Sequence, residues 1–213
     1  MGGIMMSKKV IGYLAVAAFF VFSVLTGACY AHRIHMQQEI SQKVLRFHVL
    51  ANSDSSADQE LKLKVRDAVG GYMQKKLAGV ENLAECEEVV LGSLGEITEL
   101  AENTIEENGY DYEVTAALTR TGFPIKTYGN YTFPAGEYEA LELVIGEGEG
   151  HNWWCVLYPN MCFENSMYEV VDEKADIALQ QTLTQEEYEE ILSSGNYEIR
   201  FRYLTFLNKL CDE

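Results

Sequence analysis

Residues 45–69 constrain the fold more than any other stretch, because a strand pattern passes there directly into a helix pattern. Apolar Leu45, Phe47 and Val49 alternate with other residues, which predicts a short strand. Residues 52–56, NSDSS, then break the pattern, since such side chains hydrogen-bond to nearby backbone and favour turns and helix caps. The stretch therefore predicts a strand, a polar elbow and a capped helix in succession.

The helix after the elbow carries recognisable start signals. Ser56 is predicted as the N-cap and Gln59, three residues later, as its capping-box partner. Acidic Asp58 and Glu60 lie near the positive end of the helix dipole. Helical spacing then separates two sets of side chains. The predicted buried stripe is Leu61, Val65, Ala68 and Tyr72. The face predicted to point toward solvent or a partner is Lys62, Lys64, Arg66 and Asp67.

A second helix is predicted between Asn82, as its cap, and the stop signal Asn108-Gly109. Its predicted stripe is Leu83, Cys86, Val90, Leu94, Ile97, Ala101 and Ile105. Gly92 and Gly95 lie inside this helix, where glycine is unfavourable, and predict a bend or a close approach.

From Tyr110 onward the apolar period changes to two, which predicts strands. The predicted strands are residues 112–118, 125–133, 138–145 and 152–157, with residues 146–150 as a flexible connection. The last of these strands places Trp153 and Trp154 on opposite faces. The remainder is predicted to be irregular over 161–182, then a short helix that ends at Gly195, a strand over 197–203 and a helix over 204–210. Thr184 is predicted to cap the short helix, with Glu187 at the matching position. The predicted fold class is α+β, with an N-terminal strand and two helices packed on a mainly antiparallel sheet.

The N-terminus predicts export. Residues 10–31 contain no charged residue and follow Lys8-Lys9, as in a cleaved signal peptide or a single membrane anchor. Small residues before Cys29 offer a cleavage position after Ala28. Either way, the basic flank places the rest of the chain outside the cytoplasm. We expect a signal or anchor over residues 1–31, a polar helical stem or linker over 32–43, and one exported α+β domain over 44–213.

The charge of the chain limits its partners. Sixteen basic and 33 acidic residues give a net charge of −17. Nucleic acids and anionic lipid surfaces select basic footprints, so the composition argues against both as partners. A solvated acidic surface explains this charge without any partner. If a partner is bound through charge, a cationic peptide or a basic protein patch fits better.

The five cysteines include no CxxC pair, so a zinc site is not expected. Cys155 and Cys162 lie symmetrically about Tyr158-Pro159, and antiparallel pairing of the flanks would bring them face to face. In an exported chain this favours a disulfide, the alternative being two reduced, buried cysteines. Cys86 falls on the stripe of the second helix.

Catalytic candidates are few. His48 and Asp54 could form a base and its orienting carboxylate, but no nucleophile motif such as GxSxG accompanies them. Asp54-Ser55-Ser56 resembles the aspartic-protease tripeptide without its glycine, and no second copy occurs. The four histidines show no metal-ligand spacing. We expect no catalytic residue, no metal and no cofactor, with Asn52 and Asp54 tying the elbow together.

Two segments carry a family resemblance. ANSDSSADQELKLKVRDAV, residues 51–69, and NWWCVLYPNMCF, residues 152–163, resemble two signatures of the stage II sporulation protein R family. The resemblance covers about residues 40–170, and the N-terminal leader also fits.

The resemblance implies a sporulation signal that is made in the forespore and secreted into the space between the two sporangial membranes. There the family activates a membrane-embedded aspartyl protease that processes the sigma-E precursor. The chain would then be a ligand and not an enzyme, and the alternative is an exported hydrolase that uses His48 and Asp54. We expect the protease to contact the exposed part of the first signature, and secondly the tryptophans: Arg46, His48, Asn52, Asp54, Asp58, Lys62, Arg66, Trp153 and Trp154.

Overall fold

A computed structural model of the chain describes residues 8–161 and 173–193. Its elements are α1 (Lys8–Ser41), β1 (Leu45–Leu50), α2 (Ser56–Lys76), α3 (Leu83–Glu107), β2 (Val114–Phe123), β3 (Lys126–Tyr128), β4 (Tyr131–Phe133), β5 (Gly136–Ile145), β6 (Asn152–Tyr158), α4 (Glu173–Thr182) and α5 (Gln185–Ser193).

Four strands form the central sheet in the order β2-β5-β1-β6. β1 runs parallel to β5 and antiparallel to β6, and β2 runs antiparallel to β5. The sheet is therefore mainly antiparallel, with α2 and α3 on one face, which confirms the predicted α+β class. β3 and β4 form a separate hairpin.

Two predicted segments are wrong. The strand predicted over residues 125–133 is instead the β3–β4 hairpin, because Gly129 adopts a positive φ of 56° and turns the chain. The region predicted to be irregular over 161–182 contains α4. The strand and helix predicted over 197–210, and the helix end at Gly195, lie outside the described residues.

The first core lies between the sheet and the helices α2 and α3. Phe47 and Val49 of β1 are fully buried there. Among the predicted α2 stripe, Leu61 and Val65 are buried, but Val69 and Met73 replace Ala68 and Tyr72 because the stripe continues at a spacing of four. The α3 stripe is largely as predicted, with these residues buried: Cys86, Val90, Ile97, Ala101 and Ile105.

The helix caps follow the sequence signals closely. Ser55, and not Ser56, caps α2, because Ser55 keeps an extended backbone and its hydroxyl accepts the Asp58 N–H at 3.1 Å. Asn82 caps α3 as predicted, accepting the Glu85 N–H at 3.0 Å. Thr184 and Glu187 form the predicted cap of α5 through reciprocal bonds.

The second core covers the opposite face of the sheet, at the end where β5 begins. It combines the end of α1, the β3–β4 hairpin, α4 and α5. Tyr131 of β4 and Tyr188 of α5 both donate hydrogen bonds to Asp176 of α4. Lys43 forms a 2.7 Å ion pair with buried Glu187.

The helix α1 joins the N-terminal apolar segment to this second core without interruption. Its residues 12–41 are, among the described helices, the one segment long and apolar enough to cross a membrane, which is compatible with a signal or anchor. Its last turns belong to the domain, since Met36 and Ile40 are buried in the second core. Gln37 also donates to the Glu137 carbonyl at 3.3 Å, beside the start of β5. The predicted stem is thus helical and packed.

Candidate interaction surface

The polar elbow, which in the structure spans residues 51–55 because α2 begins at Ser56, is held by the β5–β6 loop, residues 146–151. Because β1 lies between β5 and β6, this loop crosses the end of β1, where the elbow begins. The Gly150 N–H donates to the Ala51 carbonyl at 2.9 Å and the Glu149 N–H to the Asn52 carbonyl at 3.2 Å. The Glu147 N–H donates to Oδ1 of Asn52 at 3.1 Å. The segment predicted to be a flexible connection is therefore hydrogen-bonded to the elbow through residues 147, 149 and 150.

Glycine is required in this loop for two reasons. Gly146 and Gly148 have positive φ angles of 56° and 65°, which side chains rarely adopt. A Cβ atom at Gly150 would overlap the backbone carbonyl of Ser53. We refer to residues 51–55 and 146–151 together as the elbow platform.

Asp58 stabilises the elbow through hydrogen bonds from two of its side chains. It is buried on the first turn of α2 and accepts hydrogen bonds from the Ser53 hydroxyl and, at 3.0 Å, from the Asn52 amide. These bonds, with that from Ser53 the largest cause, lower the pKa of Asp58 below its ordinary value. The prediction that Asp58 is exposed is wrong, since it is 5% exposed.

Lys62 ties the loop to α2. Its ammonium group donates to the His151 carbonyl at 2.8 Å and to the Gln59 side chain. The prediction that Lys62 faces solvent is wrong, because these bonds hold it at 5% exposure. Burial, and secondarily the Arg66 charge, lower the pKa of the Lys62 ammonium.

Asp54 and His151 form the exposed top of the elbow platform. The His151 N–H donates to Oδ1 of Asp54 at 2.6 Å, and the His151 ring nitrogen Nδ1 contacts the same oxygen. The hydrogen bonds from His151 lower the pKa of the Asp54 carboxyl. The side chains of Asp54 and His151 are 56% and 80% exposed, so a partner could reach both.

His48 does not meet Asp54. It is 2% exposed, its Nε2 lies 2.8 Å from Glu142 on β5, and its ring stacks on Trp154 at 4.9 Å. The hypothesised pair of a base and its orienting carboxylate is therefore not formed, and the prediction that His48 is exposed is wrong. Burial lowers the pKa of the His48 imidazole, although Glu142 opposes this shift.

Arg46 is also buried, contrary to prediction. Its side chain is fully enclosed, with Nε donating to the Cys155 carbonyl at 2.9 Å and Nη2 to the Tyr128 hydroxyl at 3.0 Å. Four aromatic rings lie within 4.3–5.7 Å of its guanidinium carbon: Phe123, Tyr128, Phe133 and Tyr138. Such cation–π contacts partly offset the loss of water around the charge.

The two tryptophans lie on opposite faces of β6, as predicted. Trp153 packs edge-on against Phe47 at 5.5 Å, and the Arg66 guanidinium lies 5.1 Å from the Trp153 ring. Trp154 faces the second core side, against His48 and Phe123. Arg66 and Trp153 together reach the surface of the first core.

Cys155 is disulfide-bonded, whereas Cys29 and Cys86 are free. The proposed partner, Cys162, lies outside the described residues, so the Cys155–Cys162 pairing stays a prediction. Within residues 8–161 and 173–193, no group of three or more His, Cys, Asp or Glu side chains is arranged to hold a metal ion.

The first signature thus includes the elbow half of the platform, and the second begins with β6 directly after the loop half. Comparison with known proteins matches the same part of the chain. A family model described as stage II sporulation protein R matches residues 41–168. The chain belongs to the stage II sporulation protein R family.

A curated relative agrees with this assignment. The chain is 36% identical over 157 residues to "Stage II sporulation protein R" of Bacillus subtilis (strain 168), which covers 73% of this chain and 70% of that protein. No solved structure matches the chain. The family match includes the elbow, α2, α3 and all six strands, and it begins at the last residue of α1.

The sequence pattern missed His151 and Glu142. His151 directly precedes the second signature and follows the GEGEG run. This run indicates a glycine-rich loop but not which residues the loop contacts. Only the parallel pairing of β1 with β5 brings that loop over the elbow and sets Glu142 beside His48.

Proposed function

We propose that this chain is an exported signalling protein of endospore formation that activates a membrane-embedded aspartyl protease, so that the protease processes the sigma-E precursor. Family membership is the observation that carries this proposal. The apolar helix α1 supports an extracytoplasmic location, either after cleavage or with the chain still anchored.

The chain acts in this proposal as a ligand and not as an enzyme. A ligand that binds the active form of the protease better than the idle form shifts the population toward activity, and a few kcal/mol of preference suffices. A rigid surface favours such binding because little conformational entropy is lost. The elbow platform has this property, since each of its halves is hydrogen-bonded to the other.

The position of the elbow platform supports a role in contacting the protease. β5 begins beside Gln37 of α1 and ends at residue 145, next to the loop. Ten strand residues span about 33 Å. The platform therefore lies at the end of the sheet remote from α1. A membrane anchor on α1 would thus leave the platform accessible to a partner. Of the predicted contact residues, we propose Asn52 and Asp54 here, with Arg66 and Trp153 as a second group.

Co-expression of the chain with the protease and the sigma-E precursor tests the proposal. We expect cleavage of the precursor only when the exported chain is present. Unchanged precursor, with all three proteins present and the chain exported, would contradict it.

A pair of glycine substitutions tests the platform itself. Gly150→Ala forces a Cβ against the Ser53 carbonyl and should displace the platform. A loss of about 1.4 kcal/mol in the free energy of binding to the protease corresponds to a tenfold loss of affinity, so precursor cleavage should fall at least tenfold. Gly71→Ala, on α2 with no atom within 4 Å of the new Cβ, is the matched control and should leave cleavage unchanged. Equal cleavage of the precursor with both variants would show that the platform does not take part in the activating contact.

A further inference from the structure

The two edges of the central sheet differ in how they are protected. β6 has seven residues, pairs with β1 through a register shift at Leu45/Arg46, and is followed directly by Pro159. β2 has ten residues, and its register with β5 is unbroken from Val114 to Phe123. Bulges and prolines discourage further strand pairing, and β2 contains neither. In the described part of the chain, β5 is the one strand that pairs with β2.

Alternation of the backbone identifies which N–H groups of β2 point away from β5. The Glu113 carbonyl accepts the Gly146 N–H at 2.9 Å, so residue 113 faces the β5 side. The Val114 N–H instead donates to Glu102 of α3 at 3.3 Å, away from β5. Because antiparallel strands alternate in this way, the N–H groups of Ala116, Leu118 and Arg120 also point outward.

One flank of α3 borders this outer edge. Glu87, Leu91, Thr98 and Glu102 recur at helical spacing, and Glu102 contacts the start of β2. At the other end, burial and nearby Glu139 raise the pKa of the Glu87 carboxyl, and Glu139 on β5 is paired with Arg120 of β2. Leu91 between them is 53% exposed. The edge of β2 therefore lies beside a flank with an apolar centre and acidic ends.

The charge of α3 favours some partners over others at the outer edge of β2. Its sequence contains eight glutamates and no lysine or arginine. Pairing β2 with β2 of a second copy would bring two such helices together, and both chains carry a net charge of −17. Like charges disfavour that arrangement, whereas a basic segment is attracted by the same helix.

We propose that β2 is a docking edge that accepts an extended, lysine- or arginine-bearing segment of another protein as an additional antiparallel strand. Main-chain hydrogen bonds to Ala116, Leu118 and Arg120 would provide the pairing, as in other cases of strand addition. Basic side chains on the α3 side would face Glu87 and Glu102, and the apolar methylene stem of one of them would cover Leu91. This inference does not depend on the proposed activation of a protease.

Amide hydrogen exchange of the full chain in detergent micelles tests the proposal, with a ten-residue peptide of alternating lysine and valine as the probe. With a dissociation constant near 0.1 mM, 1 mM peptide should slow exchange at Ala116, Leu118 and Arg120 about tenfold. Amides that face β5, such as that of Ala117, should change little. A peptide N-methylated on its pairing edge and a glutamate–valine peptide should both leave exchange unchanged.

Matched variants of α3 test the charge contribution. Glu87→Gln should weaken binding of the lysine–valine peptide severalfold, and Glu106→Gln, exposed at the end of the same helix, should not. Equal protection by the N-methylated or glutamate–valine peptide would overturn the proposal. So would slow exchange at Ala116, Leu118 and Arg120 before any peptide is added, because the edge would then already be paired, by another part of this chain or by a second copy.

Discussion

The two faces of β1 are equally buried but chemically different. Phe47 and Val49 point into the first core, among apolar residues of α2 and α3. Arg46 and His48 point to the opposite face, where aromatic rings, Glu142 and the Cys155 carbonyl surround them. The comparison shows that alternation along a strand separates two faces without telling which face water reaches. A charged residue can belong to a buried face when rings and carbonyls accommodate it.

The largest expected effect is on the apolar face. Phe47→Ala removes a fully buried ring that packs against Trp153, and should lower the free energy of unfolding by about 3–5 kcal/mol. Urea unfolding of the full chain at pH 7 measures this loss. Leu63→Ala, at a 39% exposed leucine of α2, should change stability by less than about 0.5 kcal/mol. Similar losses for both variants would contradict the assignment of Phe47 to a packed core.

A smaller effect is expected when the charge of the opposite face is removed. Arg46→Met leaves the Cys155 carbonyl and the Tyr128 hydroxyl without their donor, which destabilises the fold, but it also removes a buried cation. The net loss should be about 1–2 kcal/mol by urea unfolding. A loss as large as that of Phe47→Ala would show that the cation itself, and not only the filled volume, holds this face together.

The pH dependence of stability should distinguish the two faces further. The pKa of His48 is lower in the folded chain than in the unfolded chain, so the unfolded chain binds more protons below about pH 6.5. Stability should therefore fall as the pH decreases from 6.5 to 5, by at most about 1.4 kcal/mol per pH unit. Urea unfolding at pH 7 and pH 5 should show this loss, and His48→Gln should reduce it. His151→Gln, at the exposed histidine, should retain it; a flattened profile in that variant would assign the effect elsewhere.

The smallest expected effect concerns α3, on the apolar side. Gly95 was predicted to mark a bend or a close approach, but no atom lies within 4 Å of where its Cβ would be. Gly95→Ala should therefore stabilise the chain by about 0.5–1 kcal/mol, since alanine favours the helix and meets nothing. Thermal unfolding measures the shift. Destabilisation would indicate that a neighbour outside the described residues approaches this position.

The apolar face and the helix ends could be predicted from the sequence because their causes are local. Asn82 and Thr184 cap their helices through bonds to residues three positions away, a spacing that is visible in the sequence. The stripe of α3 likewise follows from helical spacing alone. Local chemistry also identified the elbow as a polar turn, although it placed the α2 cap one residue late.

The opposite face could not be predicted because its partners are distant in sequence. Arg46 meets Tyr128 and Cys155, and His48 meets Glu142, through the order of the strands and the β3–β4 hairpin. The spacing of residues along the chain does not predict that β1 pairs in parallel with β5. For the same reason the platform residue His151 was missed, while its partner Asp54 was correctly expected to be exposed.

The packing of α1 determines what cleavage after Ala28 would do to the fold. Its buried side chains, Met36 and Ile40, lie after Ala28, the predicted cleavage position. Severing the chain there would leave the second core intact, with the remaining helical stub still docked beside β5. The fold of the domain therefore does not depend on the membrane-spanning length of α1, and the same folded domain is expected with or without it.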